Sequence, residues 1–137
     1  MFDLHPHHVG LSVPDLEASR RWYSEMLGFE PEKELFIEQI PARVAFLRRG
    51  AFRLELFEVL GAQALPEERR QPHTDLRTHG TKHLAFAVPD VDQTVEALRA
   101  RGVRVLLHQR IGGEPMAFIC DNAGILLELV QAASFGE

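Results

Sequence analysis

An α+β fold built from two βαβββ modules is the class this sequence predicts, and three observations predict it. The stretch His8-Val9-Gly10-Leu11-Ser12-Val13-Pro14-Asp15 returns as His83-Leu84-Ala85-Phe86-Ala87-Val88-Pro89-Asp90, with His, Val, Pro and Asp each 75 positions apart. Later landmarks keep nearly that spacing: Gly28 answers Gly102, Ala45-Phe46 answers Ala117-Phe118, and Glu55 answers Glu128. Loop insertions of a residue or two absorb the drift. Finally, each copy runs in the same order: a strand, a helix, then three strands.

The elements follow in order. After a polar lead containing His5 and His7, Val9, Leu11 and Val13 alternate with His8, Gly10 and Ser12, which describes a two-faced strand. Pro14 stops it and Asp15 is a good N-cap. Leu16, Trp22, Tyr23, Met26 and Leu27 fall roughly on one helical face, and Gly28 suits the C′ position. Strands are predicted over Glu30 to Ile40, Ala42 to Arg49 and Phe52 to Val59, with Arg49-Gly50 as a turn. The first module thus spans 1–60. A charged, proline-bounded connector spans 61–81, long enough for a linker or lid; its Arg69, Arg70 and Arg77, with Lys82 just after it, could hold an anionic substrate but are read chiefly as a solvated set. The second module spans 82–131. Asp90 caps its helix, whose Val91, Val95 and Leu98 are spaced by four and three, and Gly102 closes it. Strands are predicted over Val103 to Gln109, Pro115 to Asp121 and Ile125 to Gln131, joined by turns at Gly112-Gly113 and Asn122-Ala123-Gly124. Residues 132–137 are a loose tail.

The 137-residue length suits one compact domain or two half-domains sharing a core. A net charge of −5 argues against a nucleic-acid binder, and no apolar run approaches a membrane span. The lone Cys120 excludes an internal disulfide framework, and the first residues lack the basic and apolar regions of a signal peptide. A reducing cytoplasm is the expected location.

His8 and His83 open equivalent strands, and Glu55 and Glu128 stand on equivalent final strands. A pseudo-twofold between the modules would bring these four side chains toward one point in a cleft between two curved sheets. Two imidazoles and two carboxylates suit one borderline divalent ion, Ni, Co, Zn, Mn or Fe, leaving two octahedral positions open. Each residue also has a plainer reading. Glu128, flanked by Ile125, Leu126, Leu127, Leu129 and Val130, would be a costly buried carboxylate unless paired or coordinated. Simple alternation along Arg53-Leu54-Glu55-Leu56-Phe57-Glu58 could leave Glu55 solvated, and a lone strand-start His is commonly exposed. The shared register favours the ligand reading for all four. It also selects His8 over its neighbours, with alternation turning His7 to the opposite face.

At these residues the chain resembles the vicinal oxygen chelate superfamily, which includes glyoxalase I, methylmalonyl-CoA epimerase, extradiol dioxygenases and bleomycin-resistance proteins. The resemblance covers about residues 5 to 131. It rests on His8 to Leu16, on Trp22-Tyr23 through Leu27-Gly28-Phe29, on Leu54-Glu55-Leu56, on His83 to Val91, and on Asp121 to Leu129. It implies paired βαβββ modules forming a curved mixed sheet around a metal cleft, with His8, Glu55, His83 and Glu128 as ligands. It further implies a small-molecule substrate chelated through vicinal oxygens and a homodimer, with the modules closing within one chain or between two.

The implied chemistry is that of an isomerase, epimerase or lyase working beside a carbonyl through an enediolate or enolate. Glu55 or Glu128 would then double as general base. Ring-cleaving dioxygenases use two His and one carboxylate, so a fourth ligand at Glu55 leans away from them. Glyoxalase I usually carries an Arg and an Asn for glutathione where this chain has Ser12 and Val59. The run Glu38 to Leu47 and the later Leu54 to Glu58 resemble methylmalonyl-CoA epimerase, which usually has Gln at the place of Glu55. Two alternatives stand beside this reading: an extradiol-type dioxygenase, and a non-catalytic protein that sequesters a drug or metabolite.

Overall fold

The computed structural model describes residues 1–137, and the chain forms two compact units, Met1–Ala64 and Leu65–Glu137. The first contains β1 (His8–Ser12), α1 (Leu16–Leu27), β2 (Glu30–Ile37), β3 (Ala42–Arg49) and β4 (Phe52–Glu58). Its strands form one curved mixed sheet in the order β1-β4-β3-β2, with β1 parallel to β4 and the other neighbours antiparallel. Asp15 is extended at the helix start, and its carboxylate accepts the Ala18 N–H at 3.0 Å. A second carboxylate, Glu58 Oε2 at the end of β4, accepts the Leu16 N–H at 2.7 Å. Two of the helix's orphan donors are thereby satisfied, one locally and one by the sheet.

Helix α1 buries Leu16, Ser19 and Tyr23, an i, i+3, i+7 stripe. Trp22, expected on that stripe, is only half-buried, and small Ser19 takes the place facing the sheet. Tyr23 stands edge-on to Phe29 with ring centroids 5.8 Å apart, and Leu47, Leu54 and Leu56 of the sheet are buried with them. Each such side chain contributes about 1.5–3 kcal/mol by leaving water. The helix ends as expected at Gly28, whose φ of 73° is left-handed and whose N–H returns to Ser24 O. A Cβ there would fall 2.2 Å from Arg49 Nη1, which donates to Leu27 O at 2.7 Å. Gly28→Ala is therefore expected to cost about 1–2 kcal/mol and to lower the thermal midpoint by several degrees. An unchanged melting curve would contradict this account of the helix end.

The second unit contains β5 (Leu84–Val88), α3 (Val91–Ala100), β6 (Val105–Ile111), β7 (Glu114–Cys120) and β8 (Leu126–Gln131), preceded by a short α2 (Pro72–Asp75). Its sheet order is β5-β8-β7-β6, again with one parallel pair, β5 to β8. The duplication extends to small details. Asp90 accepts the Gln93 N–H at 3.0 Å, and Gln131 Oε1 accepts the Val91 N–H at 2.9 Å, as Asp15 and Glu58 do in the first unit. A bulge interrupts β2/β3 between Pro31 and Lys33 and β6/β7 between Val105 and Leu107. Val91, Val95, Ile119, Leu127 and Leu129 form the equivalent core. The Asn122-Ala123-Gly124 turn is held by Asp121 Oδ1, which accepts from Ala123 N at 2.8 Å and Ile125 N at 2.9 Å.

One expectation is qualified and one corrected here. The connector is exposed along most of its length, as expected, but Asp75, only 1% exposed, gathers part of it. Arg69 Nε donates to Asp75 Oδ1 at 2.9 Å, and Lys82 Nζ reaches the same oxygen at 3.3 Å and the Asp75 carbonyl at 2.6 Å. Lys82 Nζ also bonds Thr78 O, and Arg70 Nε donates to Leu65 O at 3.1 Å. A buried carboxylate needs such partners, so Arg69 and Lys82 are used within the chain. The tail is also ordered. Ala132–Phe135 form a 3-10 turn, and the Ser134 hydroxyl donates to Glu114 at 2.6 Å.

Candidate metal centre

The structure places His8, Glu55, His83 and Glu128 as two matching pairs, one in each unit. In the first, His8 begins β1 and Glu55 lies on β4, the adjoining parallel strand, where it pairs in register with Gly10. His8 Nε2 is 3.2 Å from Glu55 Oε1. In the second, His83 precedes β5, Glu128 pairs in register with Ala85, and His83 Nε2 is again 3.2 Å from Glu128 Oε1. Each carboxylate stands on an inner strand of its sheet, so its backbone is held on both sides. Each histidine stands at a strand start, where its ring can turn toward the carboxylate.

A third residue completes each pair. Phe46 is opposite Glu55 on β3, and its ring meets His8 edge to face with centroids 5.4 Å apart. Phe118 is opposite Glu128 on β7 and meets His83 in the same way at 4.9 Å. These phenylalanines fix the imidazole planes. The sequence marks them through the repeat spacing, though only as landmarks of the duplication and not as part of the site.

The environments depart from expectation at two points. Glu128 is not enclosed on both faces: its side chain is 21% exposed, against 17% for Glu55. Leu127 and Leu129 face the core, and Glu128 lies on the other face, partly open beside buried Leu126 and Phe118. His7 does not turn away either. It precedes the strand, so alternation does not govern it, and His7 Nδ1 lies 2.8 Å from His8 Nδ1. One ring donates and the other accepts. With Nδ1 engaged, His8 presents Nε2 to Glu55, the kind of second partner that orients a ligating imidazole.

The face around the first pair is charged. Glu32, in the β2 bulge, accepts from Arg53 Nε at 2.8 Å and lies 3.7 Å from Arg48. The Arg53 guanidinium holds the Glu32 carboxyl below the usual carboxylate range, and Glu32 raises Arg53 in return. The face around the second pair is apolar, with Met116, Phe118 and Leu126 packed with Leu106 and Leu107. There the Cys120 thiol is pushed up chiefly by burial, which makes it a poor nucleophile.

The donor chemistry fits a metal. Each pair turns one imidazole nitrogen and one carboxylate oxygen toward each other, both at least one-sixth exposed, with no cation neutralising either carboxylate. Borderline divalent ions take such donors. The structure gathers these groups two by two, and no cluster of three or more potential ligands occurs. No helix is long and apolar enough to cross a membrane.

Comparison with known proteins bears on the family and the fold. The profile of the Glyoxalase/Bleomycin resistance protein/Dioxygenase superfamily matches residues 7–120. The chain is 29% identical over 131 residues to the mitochondrial methylmalonyl-CoA epimerase of Bos taurus, covering 92% of this chain and 73% of the relative. It is 35% identical over 148 residues to the 2-epi-5-epi-valiolone epimerase of an Actinomyces species, covering 91% and 78%. The crystal structure of a glyoxalase family protein from Enterococcus faecalis superposes with a TM-score of 0.74 at 25% identity, covering 94% of this chain and 97% of that one.

Proposed function

This chain belongs to the Glyoxalase/Bleomycin resistance protein/Dioxygenase superfamily, and from that premise we propose that it is a divalent-metal-dependent epimerase or isomerase acting next to a carbonyl. The observation that carries the reading is the duplicated His–Glu pair, 3.2 Å from nitrogen to oxygen in both units. His8, Glu55, His83 and Glu128 would hold one ion, Ni, Co, Zn, Mn or Fe, whether the two pairs come from one chain or from two copies. When bound, such an ion polarises a carbonyl and stabilises negative charge on its oxygen. The protein's own groups do the rest. Glu55 or Glu128 takes the proton from the carbon beside the carbonyl and returns it. Phe46 and Phe118 hold the imidazoles in plane. Two similar proteins are themselves epimerases, which supports proton transfer over oxygen chemistry.

The test is to incubate the metal-loaded protein with 2-oxo acids, hemithioacetals and acyl-CoA thioesters in deuterated water. Deuterium should enter the carbon beside the carbonyl without oxygen uptake. Oxygen consumption with catechols in the iron form would assign a dioxygenase instead, and metal-independent ligand binding without exchange would assign a sequestering protein.

A homodimer is part of the same proposal. Strand β2 is a sheet edge exposed along almost its whole length, and it carries Leu35 and Phe36, the latter 58% exposed. Long edges with apolar side chains are ordinarily covered in a soluble protein. Light scattering at micromolar concentration with metal bound should give a dimeric mass, and a monomeric one would contradict the proposal.

A further inference from the structure

We infer that Lys33 selects an anionic group, a carboxylate or a phosphate, on the molecule that binds at His8 and Glu55; this rests on the metal-site reading above. The argument begins with one row across each sheet. In the first unit the register aligns Lys33 on β2, Phe46 on β3, Glu55 on β4 and Gly10 on β1. In the second it aligns Leu107, Phe118, Glu128 and Ala85. The two inner positions are the same in both copies. The two outer ones differ, Lys33 against Leu107 and Gly10 against Ala85.

One difference alters the packing beside Glu55, and the other sets a cation at the end of the row. A Cβ on Gly10 would come within 3.2 Å of the Phe57 ring and 3.9 Å of Glu55 Oε1. Glycine therefore lets the Phe57 ring lie close to β1 beside the Glu55 carboxylate, at the row position where the second unit has Ala85. At the other end of the row, the Lys33 ammonium stands 5.4 Å from the centroid of Phe46, the ring that also contacts His8. A cation over an aromatic face is held in place without being neutralised.

The neighbouring cations are already occupied. Arg53 is bonded to Glu32 at 2.8 Å, and Arg48 donates to Gly50 O at 2.6 Å while lying 3.7 Å from Glu32. Lys33 makes no ion pair, which leaves it as the cation with charge to offer. In the second unit the same face is aliphatic, with Leu106 and Leu107 packed on Met116, Phe118 and Leu126. The duplication has thus kept the His–Phe–Glu set in both halves and placed a lysine beside one of them only. A substrate lying across that row would set its chelating oxygens near Glu55 and an anionic tail at Lys33.

The experiment uses the full chain loaded with Co(II), whose visible spectrum reports ligand exchange directly. The probes are hydroxamates, which chelate through two oxygens, of graded length and ending in methyl, carboxylate or phosphonate. The wild type should bind at least one of the two anionic series about fivefold more tightly than the methyl series, the yield of an exposed ion pair. Added salt should erode that preference. Lys33→Leu, which installs the residue of the other copy, should abolish it, and Lys33→Arg should retain it. Whichever anionic series binds tighter assigns the substrate's group. Equal affinity for all three tails in the wild type, or a preference that survives Lys33→Leu, would overturn the inference while leaving the metal reading intact. A chain that takes up no Co(II) would overturn the metal reading, and this one with it.

Discussion

Glu55→Gln is expected to slow proton exchange beside the substrate carbonyl by about 10²–10⁴-fold, the usual contribution of a positioned general base. Glu55 is suited to the role because its strand is held on both sides, by β1 and by β3, so the carboxylate has little freedom to drift. It is 17% exposed, open to a bound molecule yet shielded on most sides. Glutamine keeps the volume and one oxygen, so the contact with His8 and the row through Phe46 can persist while the base is gone. Glu128→Gln is the matched experiment on β8. If only one of the two loses exchange, that residue is the base and the other is confined to ligation. Metal content is measured on both variants, which separates loss of the base from loss of the ion. Undiminished exchange in both variants, with metal retained, would remove the carboxylates from the chemistry.

Glu128→Ala should weaken metal binding by at least about 100-fold, more than second-sphere changes ordinarily cost. It should do so without unfolding the protein. Glu128 is one-fifth exposed and makes its contact with His83 alone among charged groups, whereas the strand around it is secured by Leu126, Leu127 and Leu129 in the core. Truncating a partly exposed side chain of this kind costs about 1 kcal/mol. A melting curve close to wild type together with loss of the ion is therefore the expected pair of results. Retention of metal at wild-type affinity would show that the second pair is an ordinary ion pair and no more.

Much of the fold was legible because the sequence states it twice. Asp15 and Asp90, each after a proline and before an apolar stripe, mark both helix starts, and the strand order within each βαβββ copy follows from the alternation. Pairing was not legible in the same way. Nothing in local periodicity says that β1 joins β4 in parallel, and the reciprocal support of Leu16 by Glu58 and of Val91 by Gln131 depends on that long-range join. The His–Glu pairs were visible through their common spacing. His7 was misplaced because alternation was extended one residue beyond the strand, and the cluster inside the exposed connector was not legible because no pattern along the chain reveals that Asp75 is buried with Arg69 and Lys82 around it. Lys33 carried no signal at all until the rows of the two sheets could be laid side by side.

The most direct measurement is metal analysis of protein purified without an affinity tag, since His5, His7 and His8 stand close together near the chain start. Wild type should carry one divalent ion for each set of His8, Glu55, His83 and Glu128, and the His83→Ala, Glu128→Ala double variant should carry essentially none while keeping its fold. Full occupancy in that double variant would contradict the account.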